Sequence, residues 1–170
     1  MATEDTLRQE LEDAFRSRAH LYRVFLDELE TELGPERAEA LMVRALEARG
    51  REVAAALFTE GPVDPVAAGD RFLAVSPDGG QMYPHEAERS HGCMTIRVHR
   101  CPLKDAWAGS GLPPDRVATL CRIAGAFDRG LFEAAGLAFS NQTWTEARGG
   151  GCCWITLETP AGRIALHAPE

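Results

Sequence analysis

The chain has 170 residues, of which 45% are hydrophobic and 26% charged, and its formal net charge is −8. A chain of this length and composition is typical of a globular protein that buries its own core. The excess of acidic residues argues against nucleic-acid binding and against an anionic membrane surface, because both need clustered Lys and Arg.

The N-terminal sequence and the cysteine count both indicate an intracellular protein. The opening stretch MATEDTLRQELED is acidic and helical, unlike a signal peptide. No apolar run approaches the roughly 20 residues that span a bilayer. Five cysteines, an odd number, favour free thiols or ligands over a disulfide framework. We therefore expect a cytoplasmic protein.

The first third of the chain predicts two helices joined by a tight turn. Apolar residues recur at helical spacing through 4–33 and again through 36–59. The intervening Gly34 and Pro35 suit the end of one helix and the start of the next. We expect residues 1–60 to form an antiparallel hairpin used for packing, with exposed faces compatible with a homodimer.

After this hairpin the pattern changes to strands with interspersed helices. A linker at 61–70, rich in Pro and Gly, and a mobile loop at 76–92 are predicted. The remaining predicted elements are strands at 71–75, 93–100, 137–147, 152–159 and 162–167, a short helix or turn at 102–108 and a helix at 114–135.

The predicted fold class is therefore α+β. The N-terminal helical hairpin is followed by a four- to five-stranded, mainly antiparallel sheet with a helix packed on one face. Residues 71–170 form the α+β portion that carries the cysteines. We expect the whole chain to make one compact domain.

The stretch RVHRCP places a histidine and a cysteine at the end of a predicted strand. Alternation puts Arg97, His99 and Cys101 on one face of that strand. Pro102 can begin a helical turn, and a helix N-terminus or a nearby imidazole favours the thiolate that a nucleophile needs. The alternative is a buried thiol at a strand end beside a solvated histidine.

The predicted helix at 114–135 carries a second pair of functional residue types. Cys121 and Asp128 are seven residues apart and therefore lie on one face, two turns apart. An unpaired aspartate is costly to bury in an apolar stripe. Asp128 thus lies at the edge of the stripe in water or has a function, whereas Cys121 by itself is typical of a core residue.

The stretch EARGGGCCW is the third candidate. Three consecutive glycines allow backbone amides to approach a ligand closely, or they simply form a hairpin turn. Cys152 and Cys153 then enter a strand on opposite faces, so we expect only one of them to face a shared cavity. Trp144 and Glu146 lie on one face of the preceding strand and are candidate pocket residues.

Other kinds of site are less well supported. The candidate zinc ligands are Cys101, Cys121 and Cys153 with His99 or Asp128, but no two cysteines have the CxxC spacing typical of structural zinc sites. The chain also has no GxSxG nucleophile motif, and its glycine run lacks the Lys of a phosphate-binding loop. We therefore predict no metal or other cofactor.

The order of these motifs resembles the L-2-amino-thiazoline-4-carboxylic acid hydrolase family of small bacterial proteins. The resemblance covers about 20–158 and rests on ELGPERAEALMVRALEARGREVAAALF, RVHRCPL, LCRIAGAFD and WTEARGGGCCWITL. The Cys-Pro of the family matches Cys101, and its Cys followed by Asp matches Cys121 and Asp128.

The family's glycine turn ending in Cys matches the third motif with one departure. Polar or acidic residues usually stand between Gly and Cys in the family, whereas Gly150, Gly151 and Cys152 stand here. Register favours Cys153 as the family cysteine and leaves Cys152 as the alternative.

The resemblance implies a hydrolase that acts on the C–N bonds of a cyclic amidine, opening a five-membered sulfur–nitrogen ring to a carbamoyl cysteine. Cys101 would attack the C=N carbon, Asp128 would act as acid/base or hold the amidinium, and Arg97 would receive a carboxylate. The implied catalytic set also includes Cys121 and Cys153.

Three further residues complete the expected substrate site: His99, Glu146 and Trp144. Other thiazoline-like or C–S and C–N bonded small metabolites, including those of secondary metabolism, are also compatible with the family. The alternative function is a non-catalytic small-molecule binder, or a metal- or haem-binding protein, that uses the same cysteine-lined pocket.

Overall fold

The computed structural model describes residues 3–59, 63–148 and 151–160, which contain five α-helices and one four-stranded sheet. The helices are α1 (Glu4–Leu33), α2 (Pro35–Leu57), α3 (Pro65–Ala74), α4 (Pro102–Gly109) and α5 (Pro114–Ala134). The strands are β1 (His85–Ser90), β2 (Cys93–Val98), β3 (Ala138–Gln142) and β4 (Cys153–Glu158). All pairings are antiparallel, in the order β1-β2-β4-β3, so the α+β prediction is confirmed. No helix within these residues is long and apolar enough to cross a membrane.

The predicted N-terminal helices form as expected and turn back at one glycine. The Thr3 hydroxyl caps α1 by accepting a hydrogen bond from the Thr6 amide. Gly34 lies between α1 and α2 with φ +78°, a conformation that glycine adopts without strain. Pro35 then occupies the first position of α2, where its missing N–H costs nothing.

Helix α2 packs on α5 as well as on α1, and two glycines allow a very close approach. A Cβ atom at Gly50 would overlap the backbone of Phe127, and one at Gly130 would overlap the backbone of Glu47. The two helices therefore meet backbone to backbone, which fixes the position of α5 and of the side chains along it.

The linker predicted at 61–70 and the strand predicted at 71–75 are wrong where the structure describes them, because α3 occupies this region. The Asp64 carboxylate caps this helix by accepting hydrogen bonds from the backbone amides of Val66 and Ala67. Pro65 occupies the first position of the helix. The short apolar run RFLAV does not by itself distinguish a strand from a buried helix.

The loop predicted at 76–92 contains strand β1, which the sequence analysis missed. This strand reads HEAERS and is mostly exposed at the edge of the sheet. Its pairing with β2 defines it, and it lacks the apolar alternation that reveals a half-buried strand. The strand predicted at 137–147 is shorter and ends at Gln142, and the one at 162–167 lies outside the described residues.

The buried residues form two clusters on either side of a shared boundary. One lies between the sheet, α3 and α5 and includes Ile96 and Phe132; the predicted inward face of β2 belongs to it. The other lies between α1, α4 and α5 and includes Trp107, whose indole N–H donates to the Ala19 carbonyl at 2.7 Å. Tyr83 packs against both clusters.

Candidate functional site

A cavity of about 530 Å³ lies between the two clusters. Its volume is within the range that encloses a small-molecule ligand. Most of its wall is apolar and comes from α1, α2, α3, α5 and the sheet. Its polar and ionisable lining residues include Cys101, Cys121, Cys152, Cys153, Asp128, Tyr83 and Arg18.

Cys101 occupies the N-cap position of α4 and lines this cavity. A hydrogen bond from the Cys152 thiol lowers the pKa of Cys101, and the backbone amides of Leu103 and Lys104 lower it further, while burial opposes both effects. The helix N-terminus stabilises the negative charge of the thiolate in the same way. The net result is a Cys101 pKa below that of an ordinary thiol.

Cys152 and Cys153 both line the cavity, contrary to the prediction that only one would. Strand β4 begins at Cys153, and Gly151 turns the chain with φ +85°, so strand alternation does not extend back to Cys152. The Cys152 amide donates to the Val98 carbonyl at 2.7 Å, which holds Cys152 at the end of β2.

The neighbouring thiols of Cys101 and Cys152 have pKa values shifted in opposite directions. The two neighbouring sulfur atoms, Cys152 Sγ and Cys153 Sγ, are 3.3 Å apart. Hydrogen bonds with Cys101 and Cys153, together with burial, raise the pKa of Cys152. The surroundings therefore favour the protonated form of Cys152 and lower the pKa of Cys101.

Cys121 and Asp128 share the cavity face of α5, as the seven-residue spacing predicts. Burial raises the pKa of Cys121, so this thiol stays neutral. Burial also raises the pKa of Asp128 to about 7. The surface of Asp128 that remains accessible opens on the cavity, and its carboxyl group has no hydrogen-bond or ion-pair partner among the described residues.

Tyr83 and Arg18 also line the cavity and were missed by the sequence analysis. Burial is the main cause of the raised pKa of Tyr83; nearby Cys101 and Asp128 add to it, and a hydrogen-bonded Arg18 opposes it. The Arg18 guanidinium lies 4.4 Å from the centre of the Phe15 ring. Tyr83 fell in a predicted loop and Arg18 on an ordinary amphipathic helix, so neither carried a signal.

Arg97 and His99 do not lie on a common face with Cys101, contrary to the prediction. Strand β2 ends at Val98 and the chain bends at His99, so alternation stops before Cys101. The side chains of Arg97 and His99 approach Glu86 on β1 instead, at 3.9 and 3.3 Å. Neither residue is part of the cavity wall.

Glu146 and Trp144 are also outside the cavity wall. The strand that was expected to carry both residues ends at Gln142, so they do not share a strand face. Glu146 is exposed in a 3₁₀ turn, and Trp144 packs against both hydrophobic clusters. Because the predicted cation Arg97 also lies outside the cavity wall, Arg18 is the candidate cation at the cavity. It has no carboxylate partner in the described part of the chain.

The cavity thiols are close together, but among the described residues no group of three or more His, Cys, Asp or Glu side chains is arranged to hold a metal ion. Zinc binds cysteine as the thiolate. The hydrogen bond to Cys101 instead keeps Cys152 protonated.

Comparison of the sequence with protein families identifies one family, and comparison with solved structures identifies a similar fold. The family model of L-2-amino-thiazoline-4-carboxylic acid hydrolase matches residues 14–156. No curated protein matches the sequence. Among solved structures, a trafficking protein particle complex subunit 3 from Naegleria fowleri, covalently bound to palmitic acid, is similar with a TM-score of 0.56 and 10% identity. That match covers 85% of this chain and 95% of the other, and at this identity it shows the fold alone.

Proposed function

The chain belongs to the L-2-amino-thiazoline-4-carboxylic acid hydrolase family, and we propose that it hydrolyses a cyclic amidine through the thiolate of Cys101. One observation carries the proposal. A cysteine with a lowered pKa lies at the N-terminus of α4 and faces a cavity that also contains an unpaired aspartate, Asp128.

Cys101 suits the role of nucleophile because the groups around it stabilise its negative charge. The Cys152 thiol and the backbone amides of Leu103 and Lys104, at the start of α4, all lower the pKa of Cys101. A thiolate is the reactive form of cysteine, and a lowered pKa increases the fraction of the thiol that is ionised. Cys121 lines the same cavity but is neutral, and it is therefore part of the wall.

Asp128 suits the role of acid and base for a nitrogen-rich ring. Its carboxyl group, with a pKa of about 7, exchanges a proton readily at neutral pH. In its ionised form it can pair with an amidinium, and the apolar surroundings strengthen this attraction. Tyr83 is near both Asp128 and Cys101, so its hydroxyl is available to hydrogen-bond the reacting group between them.

The reaction would proceed in two stages. The Cys101 thiolate adds to the amidinium carbon, and the ring C–S bond then breaks, which leaves an isothiouronium on Cys101 and frees the ring sulfur as a thiolate. Water adds to the same carbon and its first proton passes to that freed sulfur. Asp128 takes the second proton as the Cys101 thiolate leaves, and the product is a urea that carries a free thiol.

Arg18 is the side chain best placed to receive a carboxylate on the ring. It is exposed at the cavity edge, its guanidinium is held over the Phe15 ring, and it lacks a carboxylate partner within the described residues. Arginine binds carboxylates through two parallel hydrogen bonds. Arg97, to which the sequence analysis assigned this role, is directed toward Glu86 on the edge strand instead.

The decisive test is turnover of 2-amino-thiazoline-4-carboxylate by purified Cys101→Ser protein. Turnover is measured as the release of a free thiol. A serine hydroxyl is a far weaker nucleophile than a thiolate, so we expect a loss of at least about 1000-fold in kcat/KM. Cys93→Ser is the matched control because Cys93 lies at the far end of β2 and outside the cavity wall. Full activity of Cys101→Ser would rule out the nucleophile role.

The same assay tests the carboxylate site. We expect Arg18→Gln to raise KM for this substrate. Arg44→Gln removes an exposed charge on α2, outside the cavity wall, and should leave KM unchanged. An unchanged KM in Arg18→Gln would remove Arg18 from the site and leave the role of Cys101 untouched.

A second candidate function is a non-catalytic acyl carrier. The apolar cavity beside Cys101 favours it, and the similar trafficking protein is one that was found covalently bound to palmitic acid. Cys101 would then exchange with an acyl thioester to form a thioester of its own. Incubation with palmitoyl-coenzyme A and intact-mass measurement tests this, because a stable palmitoyl adduct on Cys101 without turnover would favour the carrier over the hydrolase.

A further inference from the structure

The cavity is elongated along α5. Its wall includes Cys121 near one end and Leu131 near the other, ten residues apart on the same helix. At the α-helical rise this separation is about 15 Å. Cys121 belongs to the cluster of α1 and α4, and Leu131 belongs to the cluster of α3 and the sheet, so the cavity runs from one cluster into the other.

The two ends of the cavity differ in chemistry. Cys101 and Cys153 lie near Cys121, whose pKa is raised by burial and further by their charges, and Arg18 lines the cavity from α1. The opposite end, which we call the far lobe, is lined mainly by apolar side chains: Val53, Leu57, Phe72, Leu73 and Leu131. Asp128 lies between the two ends, about one turn of α5 before Leu131, and the Ser76 hydroxyl beside the lobe donates to the Phe72 carbonyl. Arg49 lies on the same helix as Val53 but is paired with Glu52 and turned mainly to solvent.

We propose that the substrate carries an apolar tail that fills the far lobe while its reactive ring lies at Cys101. This inference rests on the proposed function, since it assigns the substrate class of the same site. The class is a cyclic amidine with an anionic group near the ring and an extended alkyl or aryl substituent. It is larger than the amino-thiazoline carboxylate after which the family is named.

The size and polarity of the far lobe carry the argument. A single five-membered ring is much smaller than a cavity of about 530 Å³ and would leave the lobe to water or to empty space. Water is poorly held in apolar surroundings because it needs two or more polar partners. A tail that removes this apolar surface from water adds affinity with each methylene group.

A chain-length series on the wild-type protein tests the inference directly. The substrates are 2-amino-thiazoline-4-carboxylate and the same ring with butyl or octyl substituents at its ring methylene. We expect kcat/KM to rise with chain length, by at least about 100-fold from the bare ring to the octyl compound, which corresponds to burial of fewer than half of the octyl carbons. Equal or falling kcat/KM along the series would overturn the tail site.

A lobe-filling variant provides the second readout. Val53→Trp places a large side chain in the far lobe at a half-buried position, and Val24→Trp makes the same change at an exposed position of α1. We expect Val53→Trp to reduce kcat/KM at least about tenfold more for the octyl compound than for the bare ring, and Val24→Trp to change neither. Equal losses on both substrates in Val53→Trp would contradict the assignment.

Binding without chemistry separates this inference from the proposed function. Cys101→Ser protein is titrated with the bare ring and with the octyl compound by calorimetry. Tighter binding of the octyl compound, weakened by Val53→Trp, supports the tail site even if wild-type protein turns over neither substrate. Turnover of the bare ring together with equal binding of both compounds would keep the hydrolase and remove the tail site.

Discussion

Asp128 and Cys101 are shifted in opposite directions by their surroundings, and this contrast is central at the scale of residues. Burial without a partner raises the pKa of Asp128, whereas donors at the start of α4 and on Cys152 lower the pKa of Cys101. The site therefore combines a thiol whose pKa is lowered with a carboxyl group that is close to half protonated near neutral pH. Such pairs of groups with divergent pKa values are common in active sites.

The raised pKa of Asp128 predicts a pH dependence of stability. Asp128 titrates near pH 7 in the folded protein and near 3.9 when unfolded. Between these values the folded state binds the extra proton, so stability falls as pH rises, by up to about 4 kcal/mol. Urea unfolding at about pH 5 and about pH 8 should show this fall in the wild type and lose most of it in Asp128→Asn.

The exposed Asp115 gives a matched control for this measurement. Asp115→Asn makes the same chemical change in the first turn of α5, outside the cavity, and should keep the wild-type pH dependence. An identical fall in stability in Asp128→Asn and in the wild type would show that Asp128 is not buried in the acid form.

Sequence reasoning at this scale identified residues whose surroundings are local. Cys101 and Asp128 were found because a Cys-Pro at a strand end and an aspartate on an apolar helical stripe are visible in the sequence. Arg18 and Tyr83 were missed because their position at the cavity depends on the packing of distant elements. Arg97 and His99 were assigned to the wrong face because the strand ends at Val98, a boundary that alternation does not specify.

At the scale of elements, the contact between α2 and α5 positions Cys121 and Asp128. Gly50 and Gly130 let the two backbones meet, and a Cβ at either position has no space. Gly130→Ala should therefore destabilise the protein by about 1–3 kcal/mol or more, since the helices must move apart.

Gly109→Ala is the control for this prediction, because a Cβ at Gly109 in α4 has nothing within 4 Å. Thermal unfolding of the two variants is the measurement, and Gly109→Ala should match the wild type or exceed it slightly. Equal melting temperatures for Gly130→Ala and Gly109→Ala would contradict the close helix contact.

Elements with a strong internal pattern were predicted well from sequence. Helices α1, α2 and α5 and strand β2 each show helical or alternating spacing of apolar residues, whereas the region of α4 was predicted as a short helix or a turn. The edge strand β1 has no such pattern, since its backbone pairing with β2 defines it. Helix α3 was taken for a linker and a strand because its Asp-Pro start was not recognised as a cap.

At the scale of the whole molecule, the cavity is a product of tertiary packing. It lies where two hydrophobic clusters meet, and its wall combines residues from both ends of α5, from the N-terminal helices and from the sheet. Sequence patterns predict that each element has an apolar face. They do not predict how much space remains between those faces, so the size and elongation of the cavity were not foreseen.

The most direct test of the account is to find which cysteine reacts with an electrophilic amidine. The reagent 2-chloroacetamidine presents an amidinium to Asp128 and an alkylating carbon to a nearby thiolate. We expect peptide mass spectrometry to find Cys101 modified first, and Asp128→Asn to slow this reaction. Modification of Cys93 or Cys153 first, with Cys101 intact, would contradict the central claim.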